Sequence, residues 1–198
     1  MGIFETIYLI GFVLATVIRT YYGRQFKRKE IVHSQTENPI VFVGMALWGI
    51  ALVAPLIVIF SNGLAVADYE ITTSLRIIGA SVFTVSLWLL WRSHADLATN
   101  FSPSLFIQKN HTLVSTGIYR KIRHPMYLSF LMWAIGQSML IANWVAGPLG
   151  LLAFLLIYLF RVEREEQQLL NQFGAEYAQY QKRTGRLLPK FTRVRFEQ

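Results

Sequence analysis

"HPMYLSFLMWAIGQSMLIANWVAGPLGLLAFLLIYLFR", residues 124–161, contains two apolar runs parted by one polar residue, Asn143. His124 stands at one end, beside Arg123, and Arg161 stands at the other. The runs, roughly Met126–Ala142 and Trp144–Phe160, come close to the ~20 residues that a helix needs to cross a hydrocarbon core. With only Asn143 between them, they predict a helical hairpin with antiparallel, neighbouring arms. His124 and Arg161, distant in sequence, should then reach the same membrane level and border one site. Gly136, Gly147 and Gly150 would allow close backbone approach. Gln137 lies mid-run, where an amide needs a partner, so it is expected to face protein and bond across helices.

Three further apolar runs precede this pair: roughly Ile3–Tyr22, Pro39–Phe60 and Leu75–Trp91. The chain of 198 residues is 54% hydrophobic and only 15% charged, against about a quarter charged in an ordinary soluble domain. The expectation is an all-α integral membrane protein with about five transmembrane helices, a C-terminal helical hairpin and a cytoplasmic cofactor pocket. The first run carries Glu5, has no basic leader and no small-residue cleavage site after it, so it does not read as a signal peptide. There is no cysteine, which excludes disulfides, thiol nucleophiles and thiolate metal sites.

The 19 Lys and Arg residues test this arrangement. All but Arg19 and Arg76 fall in the connection after the first run, the connection after the third, or the tail after the fifth. The connections after the second and fourth runs carry no Lys or Arg, only Asp68 and Glu70 in one and Asn143 in the other. Positive loops face the cytoplasm. A multi-pass protein is expected, with the N-terminus outside and the C-terminus and active site cytoplasmic. The net charge of +8 reads as a topology signal assisted by anionic lipid, and nucleic acid is not an expected partner.

Pro39 suits the first position of a helix, and Pro55 predicts a kink. The connection 92–124 is too long for a simple turn. Its "NFSPSLFIQKNHTLVSTGIY" mixes β-branched and aromatic residues with Pro103, Asn110 and Gly117, predicting a short extended or hairpin-like segment. Past Phe160, the last helix should run on through Arg161–Glu166. Leu169, Leu170, Phe173, Tyr177 and Tyr180 then form one apolar face, suited to the interface, with Gly174 a possible break and Gly185 and Pro189 as stops. Residues 1–91 read as a three-span scaffold and 92–198 as the functional core.

Several residues converge on the expected site, each with a plainer reading. Arg120, Lys121 and Arg123 suit interface anchors, and His124–Pro125 suits a helix start. A free helix N-terminus also attracts anions. Arg161 and Glu165 share a helix face, while Glu163, Glu165 and Glu166 also suit a solvated helix exit. The four histidines are scattered without ligand spacing, so no metal is expected. An arginine at the boundary can hold a carboxylate, a carboxylate can hold an ammonium or ribose hydroxyls, and tyrosines and a histidine can flank an aromatic ring. Such a mixture, open to lipid, suits a polar cosubstrate and a lipid-tailed acceptor.

At these residues the chain resembles a known family. "HTLVSTGIYRKIRHPMY", then a helical hairpin, then "REEQQLLNQFGAEYAQYQKRTGRLLP", is similar to the isoprenylcysteine carboxyl methyltransferases. It is similar more loosely to membrane methyltransferases that include phospholipid N-methyltransferases. The resemblance covers roughly residues 100–190. It implies S-adenosylmethionine as cosubstrate, S-adenosylhomocysteine as product, and a lipophilic or prenylated acceptor entering from the bilayer. By motif position it assigns Gln108, His111, Thr112, Leu113, Val114, Tyr119, His124, Pro125, Met126, Tyr127 and Glu165 to the cosubstrate. It assigns Arg161 to the acceptor carboxylate. Arg123 lies in the same motif, as ligand or as anchor.

A C-terminal carboxylate, with a pKa of about 3.3–3.7, is ionised in the cytoplasm and needs no general base. The expected mechanism is direct in-line transfer by proximity and orientation, with partial desolvation. An amine acceptor would first need deprotonation, for which His124 or Glu166 would serve. An NADPH-dependent membrane reductase of similar architecture and a non-enzymatic scaffold are the other readings.

Overall fold

In lipid, a backbone can satisfy its own hydrogen bonds as a helix, and each of the apolar runs is helical over most of its length. The computed structural model describes residues 1–26, 31–34, 38–61, 63–97, 106–108 and 112–190. Helix α1 is Ile3–Phe26, α2 Pro39–Phe60, α3 Thr73–Leu97, α4 Pro125–Ile141, α5 Leu149–Phe173 and α6 Ala175–Arg183. Short strands β1 (Ile31–Ser34) and β2 (Phe106–Gln108) pair antiparallel, with Ile31 opposite Gln108 and Ser34 opposite Phe106. Helix α2 starts as its sequence demands: Asn38 accepts a hydrogen bond from Ile40 N at 2.9 Å, with Pro39 as first residue.

Helices α1, α2 and α3 are each long and apolar enough to cross a membrane, and α4 is a shorter apolar helix. Large apolar side chains point outward with no protein over them: Val13 and Val17 on α1, Phe42 and Val53 on α2, Ile78 and Trp88 on α3, Leu152 and Leu155 on α5. An exposed apolar surface of this extent belongs against lipid. The protein is an integral membrane protein.

The core forms where α1, α3 and α4 meet. Phe83 and Trp133 rings lie 4.5 Å apart and Tyr8 lies 5.7 Å from Phe83, while Tyr8 donates to the Leu52 carbonyl at 2.8 Å. Gln137 does what its position demands. Its Nε2 donates to the carbonyls of Ala51 (2.8 Å) and Ala146 (2.6 Å), and its Oε1 accepts from Trp133 Nε1 at 2.8 Å.

The hairpin differs from expectation in two respects. The bend is wider than Asn143 alone: α4 stops at Ile141, Ala142 turns left-handed (φ 49°), and α5 starts only at Leu149. Asn143 organises that bend. Its Nδ2 donates to Leu64 O and Asp68 Oδ1 at 2.8 and 2.7 Å, and its Oδ1 accepts from Val145 and Ala146 N, both at 3.0 Å. Second, α4 and α5 touch, but α4 packs chiefly along α3 and α5 chiefly along α2. Gly136 therefore serves α3 rather than α5, since a Cβ there would sit 2.8 Å from Phe83 Cβ. Gly150 does lie on the α4–α5 seam, where a Cβ would meet Ala134 Cβ at 3.3 Å.

The connection 92–124 also differs. Its first residues extend α3 to Leu97. The extended piece, β2, pairs not within that connection but with β1 in the connection between α1 and α2. Residues 98–105 and 109–111, including His111, lie outside the described residues. The boundary drawn between residues 91 and 92 falls inside α3, whose packing on α4 crosses it. The last helix runs past Glu166 to Phe173, and Gly174 (φ 53°) breaks it before α6.

Candidate functional site

Pro125 is the first residue of α4, where a missing N–H costs nothing, and His124 is its cap residue without a side-chain capping bond. The imidazole is thus left to reach α5. Its Nε2 lies 3.1 Å from Glu166 Oε1, and its Nδ1 lies 4.0 Å from Glu165 Oε1. Consecutive helical residues point about 100° apart, so the two glutamates have different surroundings.

Glu166 is 3% exposed and gathers cations. Arg123 Nε donates to Oε1 at 2.9 Å, Arg186 donates to Oε2 through Nε at 3.0 Å and Nη2 at 2.7 Å, and Gln181 Nε2 adds a contact at 3.3 Å. Burial pushes the Glu166 carboxyl up, but hydrogen bonds from His124, Arg186 and Arg123 prevail and hold it well below the usual carboxylate range. The hydrogen bond to Glu166, helped by Glu163, pushes the Arg186 guanidinium up. Arg123 also donates to the carbonyls of Gln181 (3.1 Å) and Thr184. Backbone bonds complete the seam: Arg123 N to Gly185 O at 2.8 Å and His124 N to Arg186 O at 3.0 Å. Arg123 is therefore a buried clamp between the start of α4 and the tail after α6, unlike exposed Arg120 and Lys121.

Glu165 keeps about a third of its side chain exposed (33%) and accepts the Tyr127 hydroxyl at 2.9 Å. The rings of His124 and Tyr127 lie 5.5 Å apart, Tyr127 and Tyr158 5.7 Å, and Tyr158 and Phe154 5.5 Å. This aromatic row leads from the carboxylate into the apolar part of α5. Half-buried Arg161 sits one turn before Glu165 on the same helix face. His124, Tyr127 and Glu165 are thus brought together, as the topology requires.

Tyr119 is buried. Burial, with the charge of Glu165 adding to it, pushes its phenol well up. Its hydroxyl donates to Ser93 O at 3.4 Å and its carbonyl accepts the Tyr180 hydroxyl at 2.7 Å, so it ties α3 to α6 beside the site. The turn carrying it, Gly117–Arg120, rests on Asp96, whose Oδ2 accepts Ile118 N at 2.8 Å. Gly117 is left-handed (φ 58°), and its Cβ would meet that carboxylate. Thr112, Leu113 and Val114 lead into this turn, Thr112 exposed and the other two half-buried. Pro125 is buried, and Met126 packs against the core. Gln108 has its backbone in β2, with its side chain outside the described residues.

Among the described residues, no group of three His, Asp or Glu is placed to hold a metal. Sequence reasoning passed over Arg186, Gln181 and Asp96. Arg186 was counted only as one more cation of the tail. The run Glu163-Glu165-Glu166 was the available signal, since three carboxylates at a helix exit need counterions.

Residues 77–171 match the model described as the isoprenylcysteine carboxyl methyltransferase (ICMT) family. The match is to the ICMT family. It begins within α3 and ends near the close of α5, so it contains the turn at Tyr119 and both glutamates. The protein-S-isoprenylcysteine O-methyltransferase of Schizosaccharomyces pombe is 40% identical over 81 residues, covering 41% of this chain and 34% of that protein. That of Mus musculus is 35% identical over 101 residues, 50% of this chain and 36% of that protein. That of Xenopus laevis is 31% identical over 136 residues, 66% of this chain and 46% of that protein. The chain thus spans about a third to a half of these relatives' length. A solved structure of the eukaryotic intramembrane Ras methyltransferase ICMT is similar in fold, with a TM-score of 0.54 and 25% identity over 78% of this chain and 54% of that one.

Proposed function

We propose that the protein is an integral-membrane S-adenosylmethionine-dependent methyltransferase that O-methylates the carboxylate of a prenylated cysteine or a similar lipophilic acid. The observation that carries this reading is the meeting of His124 and Tyr127, at the start of α4, with Glu165, at the exit of α5. The ICMT match over those same residues supports it.

In this reading all five apolar helices, α1 to α5, cross the membrane, with the N-terminus outside and the clustered cations and site in the cytoplasm. Residues 1–91 act mainly as scaffold and 92–198 carry the chemistry. The residues present fit the cosubstrate. Glu165 has spent one oxygen on Tyr127 and keeps exposed carboxylate surface, suited to an ammonium or ribose hydroxyls. His124 and Tyr127 offer ring surface beside it. Thr112, Leu113, Val114, Tyr119, Pro125 and Met126 border the same end of the chain, and Gln108 and His111 complete the set. When bound, S-adenosylmethionine supplies an activated methyl group.

The chain's own residues have three tasks. Arg161 holds the acceptor carboxylate through charge-assisted hydrogen bonds, orienting one oxygen for direct in-line transfer. The aromatic row Tyr127–Tyr158–Phe154 excludes water beside it, which strengthens electrostatic contacts. Glu165 fixes the cosubstrate end. No general base is needed, because the acceptor is already ionised. Glu166 is poorly suited to take a proton from an amine, being buried and held ionised by two arginines and His124. That favours a carboxylate acceptor over an amine.

The test is transfer of labelled methyl from S-adenosylmethionine to a farnesylated cysteine acid by purified protein in nanodiscs. S-Adenosylhomocysteine, not NADPH, is expected to raise the melting temperature, as a ligand of the folded state does. Stabilisation by NADPH instead would point to reduction, and neither ligand acting would point to a scaffold.

A further inference from the structure

The His124 ring has two nitrogens, and the fold gives them different neighbours. Nε2 lies 3.1 Å from Glu166 Oε1, within hydrogen-bond distance. Nδ1 lies 4.0 Å from Glu165 Oε1, too far for a hydrogen bond. Which nitrogen carries the proton follows from the other partners of Glu166. Its Oε1 also accepts from Arg123 Nε at 2.9 Å, and its Oε2 accepts from Arg186 Nε and Nη2 at 3.0 and 2.7 Å. A carboxylate held between two guanidinium groups is ionised and can only accept. Nε2 therefore donates, and a neutral ring keeps its lone pair on Nδ1.

Glu165 is divided in a similar way. Its Oε2 accepts the Tyr127 hydroxyl at 2.9 Å, while its Oε1 is the oxygen that faces Nδ1, on a side chain 33% exposed. Two acceptors thus face each other across 4.0 Å. One nitrogen placed about 2.8 Å from each, an ordinary charge-assisted distance, bridges that gap. An ammonium carries three donors and no acceptor, whereas a hydroxyl has a single proton to donate. A pair of acceptors at this separation, one of them a carboxylate, suits an ammonium.

We propose that Glu166 is a positioning residue that keeps the His124 proton on Nε2, so that Nδ1 and Glu165 Oε1 together receive the α-ammonium of S-adenosylmethionine. The inference rests on the cosubstrate reading given above. It adds which end of the cosubstrate meets α5, and which carboxylate sets the ring's tautomer. Glu166 touches no ligand: Arg123 and Arg186 hold it, and it holds the ring.

Two measurements on the full chain in phosphatidylcholine nanodiscs test it. The first is nitrogen NMR of histidine-labelled protein at about pH 8, where an ordinary imidazole is neutral, with the His124 signals assigned by their loss in His124→Gln. The proton is expected on Nε2, and a proton on Nδ1 overturns the proposal. The second is calorimetric binding of three probes: S-adenosylhomocysteine, its deaminated analogue with hydrogen in place of the α-ammonium, and its 2′-deoxy analogue. The wild type is expected to prefer S-adenosylhomocysteine to the deaminated probe by about 100-fold. Glu166→Gln, whose amide can donate to Nε2 and release the tautomer, should narrow that to about 10-fold, the loss of one charged hydrogen bond. Its preference over the 2′-deoxy probe should stay as in the wild type. Equal weakening of all three probes in Glu166→Gln assigns that residue a purely structural role and overturns the proposal. Narrowing of the 2′-deoxy preference instead places a ribose hydroxyl against Nδ1 and overturns the ammonium. A wild type that binds the first two probes equally also overturns it, so both wild-type readouts decide even where Glu166→Gln does not fold. A wild type that binds none of the three overturns the cosubstrate reading itself.

Discussion

The two ends of the helix bundle are closed by different chemistry. At the end holding residues 64–69 and 142–148, amide and backbone groups do most of the work, with the Asp68 carboxylate accepting from Asn143. Asn143 bonds Leu64 O and Asp68, Tyr69 N donates to Ala142 O at 2.9 Å, and Trp144 N donates to Ala67 O at 2.8 Å. At the other end, Glu166 is ringed by Arg123, His124 and Arg186, while Glu165 lies at the edge of the network, 4.0 Å from His124. The first end is satisfied by its own backbone and has little left to offer a ligand. The second is held by a buried ion network around Glu166, while Glu165, one residue earlier, keeps about a third of its side chain exposed. The buried, ion-paired carboxylate and the partly exposed one are thus neighbours, separated by one step along α5.

The largest effect should come from breaking that network. Glu166→Ala leaves Arg123 buried without its carboxylate, and removing one partner of a buried pair costs about 3–5 kcal/mol. Thermal unfolding in detergent should show it, and a shift no larger than that of a surface variant would refute the hub. The same carboxylate carries a pH dependence. Its folded pKa is depressed, so its contribution is full above the ordinary value near 4.5 and is lost as pH falls toward the folded value. The wild type should therefore lose melting temperature between pH 5 and pH 2 more steeply than Glu166→Gln does. Equal slopes would assign the acid sensitivity elsewhere.

Next comes the functional side of the comparison. Arg161→Ala should lower turnover about 100-fold through misplacement of the acceptor while leaving the melting temperature close to wild type. Methyl transfer at the wild-type rate would remove Arg161 from the site. Among neutral groups, Gln137→Leu leaves the carbonyls of Ala51 and Ala146 and the Trp133 indole without their bonds, a cost of about 1–3 kcal/mol, readable by denaturant midpoint. At the small end, Arg120→Gln alters an exposed cation and should change stability by no more than about 0.5 kcal/mol. A larger loss there would show that the surface cations share the network's role.

Much of this was legible in the order of residues. Apolar run length predicted the helices within a few residues at most ends, because a lipid-facing backbone has no alternative to a helix. Pro125 marked the start of α4, Gly174 the break before α6, and Gln137 the need for a partner. The places where expectation failed share one cause. A tight bend at Asn143 was inferred from hydropathy, yet Trp144–Pro148 are apolar residues in a turn, held there by the Asn143 side chain and by backbone bonds to residues 67 and 69. The extended segment was placed under its own connection, whereas β2 pairs with β1. Hydropathy reports what a residue prefers to avoid and says nothing about which partner supplies its hydrogen bonds.

By itself the sequence determined a membrane-embedded helical chain, its one-sided distribution of cations, and the meeting of residues near 124 with residues near 165. All three follow from local composition and from the length of helix that spans a bilayer. Only the tertiary structure decided which of two adjacent glutamates is buried, that Arg123 and Arg186 close on it, and that Arg76 pairs with Glu5. Those outcomes depend on helix rotation and on the return of the tail beneath α4. Both are set by side-chain contacts between segments far apart in the chain, and no spacing within one segment encodes them.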